Sequence, residues 1–132
     1  MSLGSTIDSP SAAITDAGLH IVVRGSDGRS IWYTRLDRYS FQFSGWRQLP
    51  GSTPSAPSMT SDGYRVWLAV RGMDNRVYVN ALAASWGGWR RVPTGSTAAG
   101  LAIELGSSVL HLAVIGTDGK SIWYAQLGLD GS

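Results

Sequence analysis

Short stretches recur along this 132-residue chain at nearly constant intervals. Residues 24–33 are Arg-Gly-Ser-Asp-Gly-Arg-Ser-Ile-Trp-Tyr, and residues 115–124 are Ile-Gly-Thr-Asp-Gly-Lys-Ser-Ile-Trp-Tyr. A looser copy, Arg-Gly-Met-Asp-Asn-Arg-Val-Tyr, occupies residues 71–78. Their shared glycines, Gly25, Gly72 and Gly116, are 47 and 44 residues apart. A repeat of this length is expected to fold as one supersecondary unit that packs against its own copies.

Each copy predicts a β-hairpin. A five-residue apolar run comes first, and its composition predicts a strand that is buried on both faces. An Asp-Gly or Asp-Asn turn follows, and both dipeptides tolerate the positive φ of a tight hairpin. An aromatic-rich second strand completes the hairpin. The apolar runs are residues 19–23, 66–70 and 110–114, the turns centre on 27–28, 74–75 and 118–119, and the second strands are 31–36, 77–82 and 122–127.

Two further strands flank the hairpins. A Gly-Trp-Arg segment that ends in proline, at 45–50 and again at 88–93, predicts an outer edge strand, because proline cannot donate to a ladder. A strand of small residues is predicted before each apolar run, at 12–15, 56–60 and 101–105. The predicted four-stranded units are 11–54, 55–97 and 98–132, the last without its outer Trp-Arg strand, and residues 1–10 are an N-terminal tail or a cloning remnant.

Units of this length and strand content predict an all-β protein, and specifically a β-propeller with about three four-stranded blades per chain. Three blades do not close a ring. The chain is then either a fragment of a longer protein or part of an assembly, and we predict a homodimer that forms a six-bladed ring. The open end blades are expected to expose apolar side chains such as Ile21, Val23, Leu112 and Val114.

The composition narrows the functional classes. The chain has no cysteine, which excludes disulfides and thiolate metal sites. We expect no membrane insertion, because no apolar run is long enough to span a bilayer, and the N-terminus shows no secretory signal. Nucleic-acid binding usually requires a clustered basic stripe, whereas here the net charge is only +2 and the arginines are dispersed, so no nucleic-acid partner is predicted. Acidic glycans or a membrane surface stay open as partners.

Catalysis, metal binding and cofactors are not predicted. Glu104 is the only glutamate, and most aspartates lie in turns that explain them. No nucleophile elbow and no glycine-rich phosphate loop is present. The two histidines, His20 and His111, occupy the same repeat position, which favours packing or a hydrogen-bonded interior role over a metal site.

The pattern of an apolar strand, Arg-Gly-x-Asp-Gly, an aromatic strand and Gly-Trp-Arg-x-Leu-Pro resembles the repeats of bacterial β-propeller lectins. It is most similar to the Photorhabdus-type, fucose-binding lectin group, and more loosely to tectonin and tachylectin-like propellers. The resemblance extends from about residue 11 to residue 127. It implies a multivalent, non-catalytic module that binds glycans, fucosylated ones among them, between adjacent blades. It also implies a secreted or cell-surface location.

A lectin pocket stacks aromatic rings on the apolar face of a sugar and binds the hydroxyls with polar neighbours. The candidate ligand-binding residues are Trp67, Trp86, Trp32, Tyr33, Trp123, Tyr124, Arg24 and Arg71. Packing between blades is the alternative role for the aromatic residues, and it is favoured where they recur in register, which Trp67 and Trp86 do not. For the arginines, bracing of the turn aspartates is favoured over binding. The rival function is a protein-interaction scaffold, or a recognition fragment of a larger propeller protein, without a sugar site.

Overall fold

The computed structural model describes residues 2–130, apart from the side chain of Thr94, and contains eleven β-strands in three antiparallel sheets. The predicted all-β class is confirmed. No helix able to cross a membrane occurs in the described part of the chain.

Sheet I is a four-stranded meander whose strands are hydrogen-bonded in chain order. Its strands are β1 (Ser11–Thr15), β2 (Gly18–Arg24), β3 (Ser30–Asp37) and β4 (Arg47–Ser52). The outer strand β4 is irregular, because Ile31 pairs with Leu49 whereas Ser30 pairs with Ser52. The extra residues are Pro50 and Gly51, which agrees with the predicted edge position of the proline.

Sheets II and III repeat this arrangement. The strands of sheet II are β5 (Ser58–Ser61), β6 (Val66–Arg71), β7 (Arg76–Leu82) and β8 (Arg90–Ser96). Sheet III has three strands within residues 2–130, and they are β9 (Leu101–Gly106), β10 (Val109–Ile115) and β11 (Ile122–Leu127). Each sheet is again ordered as the chain runs, so short local connections build all three.

The three predicted hairpins are confirmed as the central pairs of the sheets, β2–β3, β6–β7 and β10–β11. The turn residues Gly28, Asn75 and Gly119 have φ values of 82°, 67° and 72°. These are the positive φ angles that Asp-Gly and Asp-Asn tolerate in a tight hairpin turn. The turn aspartate then accepts hydrogen bonds from backbone amides that follow it, as Asp27 Oδ1 does from Ser30 and Arg29 at 2.9 and 3.0 Å.

These hydrogen bonds predict an acid-sensitive turn. Hydrogen bonds from backbone amides lower the pKa of Asp27 to about 2, with the Ser30 amide as the largest cause and the Arg29 amide as the next. Because this pKa lies below the ordinary value of 3.8, the ionised carboxylate stabilises the folded state at pH values above 3.8. Its contribution is lost as the pH falls through about 2. We expect the melting temperature of Asp27→Asn to depend less on pH between about 4 and 2 than that of the wild type. Thermal melts across this pH range test the prediction, and Asp16→Asn, at an exposed aspartate, is the control. If the melting temperature changed equally with pH in all three proteins, the prediction would be contradicted.

The sheets stack face to face around two apolar cores. One face of sheet I, including Val22, packs on the face of sheet II that carries Leu68. The opposite face of sheet II, including Ala69, packs on the face of sheet III that carries Leu110. The first strands of the sheets lie side by side. The Ser61 hydroxyl of β5 donates to the Ile14 carbonyl of β1, and the Ile103 amide of β9 donates to the Ser58 hydroxyl of β5.

The predicted exposed faces are wrong in part. Leu112 and Val114 are buried in the core between sheets II and III, and Val23 is also buried, while Ile21 is half-buried. Burial on both faces is correct for β6 but not for β10, whose second face has no neighbouring sheet in the described chain. That free face carries Ile122, which is 79% exposed. The sequence alone did not determine which face of each strand meets the next sheet.

The N-terminal segment 3–6 contacts sheet I in the way that one unit contacts the next. The Trp46 indole donates to the Leu3 carbonyl at 2.6 Å, and the Trp89 indole donates to the Pro50 carbonyl at 2.6 Å. The glycine after each carbonyl residue, Gly4 or Gly51, lies directly under the indole ring. The segment therefore occupies the place that the outer strand of a preceding unit would fill.

Candidate functional site

A cavity of about 440 Å³ opens between sheets I and II. The walls come from β1, β2, β3 and the start of β4 on one side, and from β6 and the loop 83–86 on the other. Its lining combines aromatic and polar side chains, of which the most informative are His20, Tyr33, Arg35, Trp46, Arg47 and Trp86. Cavities of this size accept a small organic ligand.

His20 and Tyr33 are neighbouring side chains on the sheet I side of the cavity. His20 is only 3% exposed, and its Nδ1 and Nε2 lie 2.8 Å from the Tyr33 hydroxyl and 2.7 Å from Thr15 Oγ1. Burial, with Arg35 nearby as the second cause, lowers the pKa of His20, so the ring is neutral at pH 7. A neutral imidazole has one donor and one acceptor nitrogen, and both are used here. His20 therefore fixes the position of the Tyr33 ring.

Trp86 closes the opposite side of the cavity. It is held by a β-bridge to Leu82, and its ring meets the Tyr33 ring edge-on, with centroids 5.3 Å apart and an interplanar angle of 87°. Its buried Nε1 has no hydrogen-bond partner among the described residues. A buried donor without a partner is unusual in a folded protein. The edge-on rings of Tyr33 and Trp86 thus form an aromatic corner of the cavity, in which the indole N–H has no hydrogen-bond partner among the described residues.

Two guanidinium groups, those of Arg35 and Arg47, complete the polar part of the lining. Within the described lining there is no carboxylate. Guanidinium and hydroxyl groups can donate to a ligand rich in hydroxyl or other oxygen acceptors. The arrangement offers aromatic surface beside hydrogen-bond donors.

The structure places the predicted site residues in several locations. Of the eight candidates, Tyr33 and Trp86 come together in this cavity. Trp67, by contrast, is 1% exposed in the core between sheets II and III, and its Nε1 donates to the Leu129 carbonyl at 2.9 Å. Tyr124 stacks on His111 at the free face of sheet III and is 60% exposed.

Trp32 and Trp123 lie at the turn end of their sheets, over the glycine that precedes the turn. A Cβ atom on Gly25 would meet the Trp32 indole nitrogen at 3.0 Å, and one on Gly116 would meet that of Trp123 at 2.7 Å. Tyr78 has the same position in sheet II. Glycine is required here because the ring packs against the backbone. This contact supports the packing role for the recurring aromatic position.

The two candidate arginines brace turns, but through different partners from the expected aspartates. Arg24 donates to the carbonyls of Gly28 and Pro54 at 2.9 and 2.8 Å, and it forms an ion pair with Asp8. Arg71 donates to the Asn75 side-chain oxygen at 3.0 and 2.8 Å. Neither arginine is in the lining of the cavity between sheets I and II.

The sequence favoured packing or a hydrogen-bonded interior role for His20 and His111. His20 is buried with both ring nitrogens hydrogen-bonded, but the sequence did not predict the cavity around it. Arg35, Arg47 and Trp46 were also missed as lining residues. One signal was present in the sequence. The histidine and a tyrosine 13 residues later recur together as His20 with Tyr33 and as His111 with Tyr124.

Comparison with known proteins identifies no family model that matches the chain, and no curated protein matches it. In residues 2–130, no three His, Cys, Asp or Glu side chains are grouped so that they could hold a metal ion.

Proposed function

We propose that this chain is a carbohydrate-binding β-propeller module that acts by binding alone. The observation that carries the proposal is the aromatic corner of Tyr33 and Trp86 in a cavity lined with guanidinium and hydroxyl donors. A monosaccharide has an apolar C–H face and a rim of hydroxyls, and such a cavity complements both.

The propeller architecture is part of the same proposal, with each sheet as one blade. Its support is the chain-ordered meander in every sheet, the side-by-side contacts of the first strands, and the face-to-face stacking. A second copy of the chain closes the ring, giving six blades in a homodimer. Several cavities on one ring would bind a glycan-coated surface far more tightly than one cavity binds a free sugar.

The exposed Ile122 supports closure by a second copy. Ile31 has the equivalent position in sheet I, next to the same Trp-Tyr pair, and it is 0% exposed because sheet II covers it. Ile122 lies on the corresponding face of sheet III and is 79% exposed. An isoleucine at this register is therefore buried wherever a further sheet follows.

Replacing Trp86 with alanine is expected to weaken sugar binding by about tenfold or more, since the aromatic surface on one side of the cavity is removed. A glycan array with the intact oligomer should first show a coherent family of ligands, and titration of the strongest ligand then compares the variants. Trp123→Ala is the matched control, because it removes an exposed tryptophan away from this cavity. Wild-type affinity in Trp86→Ala would reject the cavity. A blank array with folded protein would favour the interaction scaffold.

A further inference from the structure

We propose that residues 2–6 of one copy form the fourth strand of sheet III in a second copy, so that each chain completes the other by strand exchange. This inference rests on the ring in the proposed function and does not involve the sugar cavity. The surface that receives the segment is the free edge of β11, which pairs only with β10 within residues 2–130. An open edge presents a row of backbone donors and acceptors that an extended segment can pair with.

The free edge of β11 is the edge that an outer strand covers in the other two sheets. There β4 pairs with β3, and β8 pairs with β7. The sequence Ser-Ile-Trp-Tyr occurs both at the start of β3 and at the start of sheet III's last strand. In sheet I the serine of this sequence, Ser30, lies opposite Ser52 of β4. Ser121 is therefore the equivalent position at which an incoming strand would pair in sheet III.

The end of each outer strand contacts two sheets at once. In its own sheet, the Thr53 amide donates to the Arg29 carbonyl at 2.8 Å. The Thr97 amide likewise donates to the Asn75 carbonyl at 2.8 Å. In the next sheet, the Thr97 hydroxyl donates to the Ile115 carbonyl at 2.8 Å. The end of an outer strand therefore ties its own sheet to the one that follows.

The segment 2–6 makes the contacts to a following sheet without belonging to a sheet itself. The Thr6 hydroxyl donates to the Arg24 carbonyl of sheet I at 2.7 Å, and the Leu3 carbonyl accepts the Trp46 indole N–H. Within the described chain, the segment is part of none of the eleven strands. It is thus placed as the end of an outer strand whose own sheet is supplied by another copy. This placement is why a second copy, and not an unrelated peptide, is the occupant.

The glycine of the segment fixes the register of the exchange. Gly4 corresponds to Gly51, because a Cβ atom on either would meet a tryptophan indole nitrogen, at 2.9 and 3.1 Å. Ser5 then corresponds to Ser52, the residue that follows Gly51 in β4. The proposal therefore pairs Ser5 of one copy with Ser121 of the other. Exchange of an identical element between copies is a low-cost route to a dimer.

The exchanged segment leaves part of the edge uncovered. Gly95 has a φ of 102°, close to the 91° of Gly51, but a Cβ atom on Gly95 would meet no atom of the described chain within 4 Å. A cavity of about 530 Å³ beside Gly95 is lined by Trp123 and Tyr124. Residues 2–6 include no tryptophan that could fill it. A longer N-terminal segment that carries a tryptophan should therefore bind this edge more tightly.

An engineered disulfide tests the register, since the chain has no cysteine of its own. Ser5→Cys together with Ser121→Cys should link two copies, so electrophoresis without reducing agent is expected to show a species of twice the chain mass. Ser30→Cys with Ser52→Cys is the matched control, because these residues are paired within sheet I and should link inside one chain. Ser5→Cys with Met73→Cys, at an exposed turn residue, controls for random oxidation and should leave the chains unlinked.

A gain of affinity gives a second measurement that needs no disulfide. Replacing residues 1–3 with a copy of residues 44–50, Ser-Gly-Trp-Arg-Gln-Leu-Pro, supplies the tryptophan and leucine of a full outer strand. We expect the dissociation constant of the dimer to fall at least about tenfold, because the indole then packs over Gly95 and fills the cavity beside it. Sedimentation at a series of concentrations measures this constant, and a scrambled copy of the same seven residues is the control.

The outcomes separate strand exchange from the ring and from sugar binding. A wild-type dimer in which Ser5→Cys with Ser121→Cys stays unlinked, or links within one chain, would overturn the exchange and leave the ring. If the control pair in sheet I does not oxidise, the extended chain decides, and an affinity no higher than that of the scrambled chain would overturn the exchange. A monomeric wild type would overturn both ring and exchange. A cross-linked dimer that binds no glycan would support the exchange and reject the proposed sugar binding.

Discussion

Trp67→Ala is expected to lower the free energy of unfolding by about 3–5 kcal/mol, the usual cost of removing a buried tryptophan. Trp67 is 1% exposed and packs in the core with Ala69, Leu110 and Leu112. Its indole N–H also donates to the Leu129 carbonyl, which would lose this partner. The cavity left behind lies between two β-sheets, whose hydrogen-bonded strands cannot easily close around it.

Urea unfolding measures this loss, with the midpoint and slope fitted separately. Trp123→Ala is the control, because the same substitution at a side chain that is 65% exposed removes little buried surface. A loss in Trp67→Ala of less than about 1 kcal/mol would contradict its place in the core. If stability were unchanged and sugar binding were lost, Trp67 would instead be a site residue.

The hairpins were predictable because their signals are local. Each hairpin signal, an apolar run, an Asp-Gly or Asp-Asn turn and an aromatic strand, lies within about ten residues of the next. Because the three signals recur together in three copies, each copy supports the assignment of the others as a hairpin. The same applies to Pro50, whose missing donor places it in an outer strand wherever that strand packs. The fold class and the strand order within sheets follow from such signals.

The cavity was not predictable in this way, because it depends on which face of one sheet meets the next. Trp67 and Trp86 looked alike in the sequence, since neither recurs in register. Trp67 lies within the central strand β6 and is buried by sheet III, whereas Trp86 lies in the segment after β7 and lines a cavity. Location inside or after a strand, more than recurrence, distinguished the core tryptophan from the one that lines the cavity.

Ile122→Asp is expected to abolish ring closure. Ile122 is 79% exposed in one chain, and in the proposed ring it becomes buried as Ile31 is buried by sheet II. An aspartate there would carry an unpaired charge into an apolar interface, which costs several kcal/mol and should raise the dissociation constant at least about a hundredfold. Sedimentation should then show a 14.1 kDa monomer in place of the wild-type assembly.

The control for that experiment is Met73→Asp, which introduces the same charge at another exposed apolar residue, 61% exposed in the turn of sheet II. It should leave the assembly intact. The monomeric Ile122→Asp chain should keep the Trp86 cavity and bind free sugar, while its binding to a glycan-coated surface should fall because multivalency is lost. The two tests therefore have separate outcomes: a wild type that sediments as a monomer removes the ring, but it leaves Tyr33 and Trp86 facing each other between sheets I and II.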